Sequence, residues 1–431
     1  MQRFITTENL YRFLILGFVI SLCVFHGKVF GIGYLRNSPS DFLAKQFYLA
    51  DVFLFLALLY TLYKSEFYWS GLLTIILLIT TWCILPRGSI YSYYAVIRSL
   101  QYAICFYIFF HVQIRASIYK LISYLAVIES IIGIIQFHLK HSIGLHILGE
   151  PIFNTDTNGI AKIDLSNGIK VVRAYGTFSH PNSLGAFLVI AFAFTTYLIY
   201  KKQKALYYVN LFIILLGLTV TFSRAAILGA FIYLIVFMGM IQYKKLGSKY
   251  LNLTYFGLII IAVLVSVVSY GTYLSTRATI EDNSTVLRLQ YDKEGLDIAL
   301  QHPLFGVGYG NVIYAMNQII PNSEPNWAIQ PPHNYFIIVS DETGLIGLGL
   351  FIVLFTYIFK EYIIRLDKLN EAGDSVEIVS LFSLFISIII LMQFDHYFYD
   401  IPLMALLFWM TLGIISGAIQ DNKIHGPMVQ W

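Results

Sequence analysis

Apolar residues in this chain come in near-continuous runs of roughly 17 to 23, repeated from end to end and separated by short polar connections. A run of that length, coiled as a helix, crosses about 30 Å of hydrocarbon. About twelve spans follow, at 10–27, 47–63, 69–85, 90–112, 122–139, 183–200, 206–222, 224–241, 253–270, 345–363, 377–394 and 403–419. From Leu206 to Ile241 the pattern breaks only at Ser223-Arg224, and the stretch is too long for one crossing, so it is read as two. The strand alternation of a membrane barrel is not visible. The expected fold class is therefore all-α: one polytopic transmembrane bundle over 1–431, with a large extracytoplasmic loop at 271–334 that carries short interfacial helices.

Composition agrees. At 58% hydrophobic and 12% charged residues, with a mean hydropathy of +0.71, the chain cannot close a soluble surface around one core, and its first partner is the lipid bilayer. The first apolar run lacks a small-residue cleavage site and is expected to remain as a span. Cys23, Cys83 and Cys105 all lie in apolar runs and read as inert core thiols. A net charge of +4 argues against a nucleic-acid partner, so the positive charges inform by their placement. Lys64, Arg115, Lys120, Lys201, Lys202, Lys204, Lys244, Lys245, Lys249, Lys360, Arg365 and Lys368 fall in one set of connections, the expected cytoplasmic side. The opposite set holds the passages 139–182 and 272–334, the Ser223-Arg224 turn and the 395–402 connection. A site built from their polar residues would be extracytoplasmic.

Within the large loop, Ser284 can cap a helix of about 18 residues that carries Val286, Leu289, Leu296 and Leu300 at helical spacing and stops at His302-Pro303. Such a helix would lie along the membrane surface. The glycines of Gly306-Val307-Gly308-Tyr309-Gly310 have no strand before them, so they read as a turn or as amides near a diphosphate rather than as a nucleotide loop.

Several residues combine chemistry with placement. The stretch 173–185 packs Arg173, His180 and Asn182 just before a span, where Asn182 or Ser183 could cap the helix or the group could form a site. Arg224 sits at a span end, either snorkelling or holding an anion. Arg288 has Asp292 one turn on, so a helix ion pair competes with ligand binding. Arg98 and Glu129 lie inside expected spans and can pair structurally. His333 follows the stiff Pro331-Pro332 and precedes a helix that Asn334 can cap, while Gly344 and Gly347 permit close approach of a helix or lipid chain. Asp395, His396 and Asp400 share the same expected face, where a carboxylate orients a hydroxyl or is simply solvated. No histidine spacing supports a metal site.

Three stretches together resemble the O-antigen ligase and polymerase family of bacterial membrane glycosyltransferases. Arg173–Gly185 is similar to its Gly-Thr-Phe-x-His-Pro-Asn-x-Leu-Gly stretch, Arg224 to Leu228 to its Arg-x-x-x-Leu spacing, and His333-Asn334 with Gly344 and Gly347 to its His-Asn…Gly-x-x-Gly pattern. Gln301–Gly308 and Gln136–Glu150 add weaker likeness. The resemblance implies a multi-pass enzyme of the bacterial cytoplasmic membrane, working on its extracytoplasmic face without a cofactor. It would move a glycan from a polyprenyl diphosphate, usually undecaprenyl, to a glycan, lipid A-core or protein hydroxyl. Arginines (Arg224, Arg288 and Arg173) would hold the diphosphate and His333 would act near the acceptor, with His180, Asn182, Asn334, Asp395 and His396 as supporting or acceptor-side groups. Elementary chemistry agrees: planar guanidinium groups pair with phosphate oxygens, and a weakly nucleophilic hydroxyl needs a base or a positioning group. A protein-glycosylating relative and a non-enzymatic transporter or flippase of lipid-linked sugars are the alternatives. Against the transporter stand the lack of an inverted repeat and the expected gathering of polar residues away from the midplane.

Overall fold

The computed structural model describes residues 7–25, 27–64, 76, 78–80, 90–164, 170–278, 283–321, 323, 325, 328–368 and 375–424. In chain order these form α1 (Thr7–Ser21), β1 (Lys28–Leu35), β2 (Ser38–Phe47), α2 (Leu49–Tyr63), α3 (Ile90–Phe110), α4 (Arg115–Leu139), β3 (Lys162–Asp164) and β4 (Lys170–Val172). There follow α5 (Pro181–Lys202), α6 (Ala205–Val220), α7 (Arg224–Tyr243), α8 (Lys249–Ala278), α9 (Asn283–Gln301), α10 (Val312–Ile319), α11 (Tyr335–Asp367), α12 (Ser375–Leu391), α13 (Tyr397–Asp400) and α14 (Pro402–Ile424).

Among the described residues, seven helices are long and apolar enough to cross a membrane: α3, α4, α5, α7, α8, α11 and α14. Three shorter apolar helices, α2, α6 and α12, join them. The chain is a multi-pass membrane protein by helix composition; among the described residues these ten helices do not confirm the expected twelve spans. The expected span at 69–85 lies almost wholly outside the described residues, as does Cys83, and α1 has only 15 residues. The break at Ser223-Arg224 is present. Helix α6 ends at Val220, Phe222 takes φ 47°, and Ser223 caps α7 by accepting the Ala226 N–H at 3.4 Å.

Helix α5 lies at the centre, with the whole of its apolar window buried, whereas α8 has 28% of its window buried and runs along the outside. The charge pattern follows from this layout. His180 begins α5 and Lys201-Lys202 end it, about 30 Å apart at the rise of a helix.

Two features correct the all-α expectation. Strands β1 and β2 form an antiparallel hairpin, and β3 and β4 form a shorter one. The first hairpin turns at Arg36-Asn37, both at positive φ (48° and 64°), the backbone a two-residue hairpin turn demands and one that asparagine tolerates. Leu35 and Leu43 of this hairpin pack with Tyr291 and Ile298 of α9, Val312 and Met316 of α10, and Ile338 of α11 in a small second core. The hairpin thus closes over the polar passage that runs from α9 to α11. Helix α9 itself matches the helix expected there, and its Val286, Leu289, Leu296 and Leu300 are exposed while Tyr291 and Ile298 face the core.

The expected Arg98–Glu129 pair does not form. Arg98 lies 2.6 Å from Asp51 of α2 and also donates to Tyr94 Oη, Gln101 Oε1 and the Gln46 carbonyl. Glu129 instead accepts the backbone N–H and hydroxyl of Thr177, each at 2.8 Å. Both acids satisfy a buried group; they do so across loops, which local sequence spacing does not reveal.

Helix α11 is two helices joined at Gly344 (φ 67°, ψ −173°). A β-carbon there would run into the Leu304 backbone, so only glycine allows both the turn and the contact. The segment 303–308 is laid against this break: Leu345 N–H donates to the Pro303 carbonyl (2.8 Å), Val307 N–H to Asp341 O (2.7 Å) and Gly308 N–H to Glu342 O (2.9 Å). Two amides of the glycine-rich turn are therefore committed to α11 carbonyls rather than open to a diphosphate.

Candidate active site

The ends of α5, α6, α7, α9, α11 and α12 meet at one side of the bundle. Helices α5, α7 and α11 contribute polar side chains at their starts, α6 a backbone carbonyl at its end and α9 side chains from within its length.

The stretch 173–182 is held from beneath. Gln136 of α4 accepts the N–H groups of Tyr175 (3.1 Å) and Gly176 (2.8 Å), and its own amide donates to Glu150 (2.8 Å). The Gln136–Glu150 stretch is thus scaffolding. His180, rather than Asn182 or Ser183, caps α5: its Nδ1 accepts the Asn182 N–H at 3.1 Å. That frees the Asn182 side chain, whose Nδ2 donates to Asp395 Oδ2 and whose Oδ1 accepts from Arg173 Nη2 at 2.6 Å. Arg173 is 4% exposed and also donates Nε to the Thr221 carbonyl (2.7 Å), so it ties the 173–182 stretch to the end of α6.

Asp395 is the hub. Besides Asn182 it takes the His396 N–H (2.9 Å) and lies 3.5 Å from Arg288 Nη2. Arg288 therefore pairs across the fold, not with Asp292 on its own helix. Asp292 instead accepts the backbone N–H of His333 at 2.6 Å, which anchors that residue to α9. Arg224, at the first turn of α7, donates to Thr285 Oγ1 at 2.8 Å, one turn of α9 before Arg288. The two arginines share one helix face through this contact.

The His333 ring lies between Tyr291, stacked at 5.8 Å, and His396, edge-on at 4.5 Å. It is 8% exposed, and its Nδ1 has no hydrogen-bond partner among the described residues. Asn334 caps α11 as expected, accepting from Phe336 (2.9 Å) and Ile337 (3.4 Å), and donates to Gln393 (3.0 Å). Gly295 lets α9 approach Pro332 and Asp341 more closely than a side chain would permit, which fixes the approach to His333 from below.

Electrostatics divides these groups. Burial, reinforced by His396 and Arg288, pushes His333 down to about 2, so it is neutral at ordinary pH. Burial and the neighbouring Arg173 lower His180 as well. Burial would raise Asp395, but Arg288 and three histidines outweigh it and hold the carboxyl below its usual range. His396 goes the other way: burial lowers it, yet Asp400, with Oδ1 3.0 Å from Nδ1, and Asp395 together raise it.

Ligand atoms of His333, Asp395 and His396 lie within 4.8 Å of one another, a spacing that admits a cation. The charge around them does not favour one. Asp395 is already engaged by Asn182 and Arg288, and the nearby arginines make the surroundings suit an anion.

Residues 209–352 match the family model described as O-antigen ligase, Wzy_C. The likeness covers about a third of the chain, residues 209–352. This family consists of O-antigen ligase and polymerase glycosyltransferases. The matched segment of the O-antigen ligase domain contains Arg224, Arg288, His333 and Gly344, and it ends before Asp395 and His396 and begins after Arg173, His180 and Asn182. The fold brings these outlying residues to it. No curated protein matches the chain.

Four contributors were not singled out from sequence as part of a site: Asp292, Tyr291, Thr285 and Phe42, whose ring meets His396 edge-on at 6.0 Å. Asp292 carried a signal, one turn beyond Arg288. Phe42 carried none, since its hairpin was not anticipated.

Proposed function

We propose that the chain transfers an oligo- or polysaccharide from a polyprenyl diphosphate, undecaprenyl in the usual case, to a hydroxyl of a glycan or lipid A-core acceptor on the extracytoplasmic face of the bacterial cytoplasmic membrane. The observation that carries this reading is the unpartnered, buried Nδ1 of His333 in a cluster that also contains Arg288, with Arg224 joined to the same helix.

Arg224 and Arg288 hold the diphosphate, where paired N–H donors meet the charge that grows as the leaving group departs. Arg173 acts through Asn182, which keeps Asp395 aimed at Arg288 and away from the incoming anion. The acceptor oxygen attacks the anomeric carbon while the bond to the diphosphate breaks and its electron pair leaves with the phosphate. The hydroxyl proton passes toward His333. Burial keeps His333 neutral and a poor base; an arriving diphosphate brings negative charge beside it, which raises its basicity at the moment a proton must be taken. Asn334 and His180 keep the helix starts in place, and Asp395 with His396 sets the ring on which His333 rests.

Purified protein incubated with lipid diphosphate-linked oligosaccharide and, separately, glycan, lipid A-core and protein acceptors tests the reading. A glycosidic product with release of lipid diphosphate supports it, and the arm in which product forms assigns the acceptor. Movement of donor across a vesicle membrane without any product would replace it with the transporter. Single-cysteine labelling from outside intact cells, positive at the 283–301 helix and negative at Lys201–Lys204, tests the face.

A further inference from the structure

A cavity of about 100 Å³ lies under the first hairpin, beside the histidine cluster, with Arg98 in its wall and Arg224 and Arg288 outside it. Its wall includes Tyr94, Tyr309, Tyr399, Glu342 and Asp400, with Ala44 of β2 at the mouth. Two contacts join it to the site. Asp400 lies 3.0 Å from His396, and Pro331, also in the wall, is two residues before His333. Arg288 reaches the same histidines through Asp395, and neither it nor Arg224 lines the cavity.

The lining selects a class of ligand. Glu342 is 1% exposed; its Oε1 accepts the Val312 N–H at 3.0 Å and the Tyr399 hydroxyl hydrogen-bonds the same carboxylate. Arg98, in the same wall, is committed to Asp51 at 2.6 Å. The groups left to a ligand are thus the carboxylates of Glu342 and Asp400 and the tyrosine hydroxyls, which suit a ligand that brings hydroxyl donors. The tyrosine rings, with Tyr309 edge-on to Tyr399 at 6.2 Å, need apolar faces against them. A sugar ring offers both: hydroxyl donors around its rim and C–H groups on its face.

We propose that this cavity is the acceptor-saccharide subsite. One sugar ring packs on Tyr309 and Tyr399, donates hydroxyls to Glu342 and Asp400, and presents the next hydroxyl to the His333–His396 pair. The inference rests on the transferase reading, whose donor and base it leaves unchanged.

The test uses full-length protein in nanodiscs, with lipid-linked oligosaccharide purified from the cells in which the chain is native as donor. The acceptor probe is the oligosaccharide released from that lipid by mild acid. Glu342→Gln keeps shape and removes the charge; Ala44→Phe fills the mouth from a half-buried strand position. Both are expected to raise acceptor KM about 10-fold or more with donor Kd unchanged. Unchanged acceptor KM in both, or an equal loss of donor affinity, overturns the subsite. Saturation-transfer NMR of the released oligosaccharide separates the two readings: signal with wild type that disappears in Ala44→Phe supports the cavity even if no transfer occurs. Equal signal from the two proteins rejects it, even if the wild type transfers glycan.

Discussion

Among the described residues the protein brings arginine and aspartate together in two places, and the difference between them separates scaffold from candidate site. At Arg98–Asp51, the hydrogen bonding is complete although Arg98 borders the cavity: the guanidinium meets a carboxylate, a tyrosine hydroxyl, an amide and a carbonyl, and Asp51 also takes the Tyr48 N–H at 2.8 Å. Around Arg288–Asp395, the pair is longer (3.5 Å), Arg288 keeps 25% of its side chain exposed, and a neighbouring histidine nitrogen is buried without a partner. A charge inside a membrane protein is thus not by itself a functional sign. Unfinished hydrogen bonding beside an ion pair is the better one, because unmet polar groups are kept only where something arrives to meet them.

The largest expected effect is on the open side of this comparison. His333→Ala should lower transfer by about 10²- to 10⁴-fold, the usual range for losing a base, while donor binding persists because the phosphate-holding groups lie elsewhere. Transfer rate and donor affinity of the purified variant check both halves. Wild-type rates from both His333→Ala and His333→Gln at equal protein levels would remove His333 from the mechanism. On the closed side, Arg98→Met should cost about 3–5 kcal/mol of stability by leaving Asp51 buried and unpaired, and Arg98→Met with Asp51→Leu should recover most of it. Denaturant melts in detergent measure this, and equal melting of the single and double variants would contradict the account of that pair.

The residues gathered in the candidate cluster carry local signals in the sequence, whereas the contacts that join them do not, for a physical reason. His333, Arg224 and Arg288 stand beside local signals: the Pro331-Pro332 pair, the one polar break in a 36-residue apolar run, and a capped surface helix. The Asn334 cap needed only its own next three residues. By contrast, Arg98 finds Asp51 across 47 positions, and Asn182 finds Asp395 across 213, so neither pairing leaves a periodic trace. Helix α5 shows how close the choices are. Asn182 is the more usual cap, but His180 takes that task and leaves Asn182 free to reach Asp395. Run length shows less about where the first helix stops. The first run goes on past Ser21, where α1 ends, and Gly31 and Gly33 then carry the chain into a hairpin.

A smaller effect tests whether the arginines recognise phosphate by shape. Arg224→Lys and Arg288→Lys retain charge but lose the planar fork, and each should lose about 10-fold or more in kcat/KM, about 1.4 kcal/mol. Arg288→Lys should be the worse of the two, since it also loosens the tie to Asp395. Rates and donor Kd equal to wild type in both would dismiss phosphate binding.

The smallest effect sharpens the comparison through pH. His333 binds its proton far less readily folded, at about 2, than unfolded at its ordinary value near 6.5, so below that value the unfolded chain holds more protons and stability falls. Its contribution is complete above about 6.5 and is lost as the pH drops, with a limiting slope of about 1.4 kcal/mol per unit. His180 adds to the same side. His396 has the opposite sign, because Asp400 and Asp395 raise it against burial: its contribution is complete below the unfolded value and is lost as pH rises through the folded one. The two slopes oppose each other. In melting temperatures taken from pH 5 to 8, His333→Gln should weaken the loss toward acid, and His396→Gln the loss toward alkali. A curve that keeps both losses in both variants would mean that the acid loss and the alkaline loss arise elsewhere in the bundle, and the opposed histidines would no longer distinguish the open pair from the closed one.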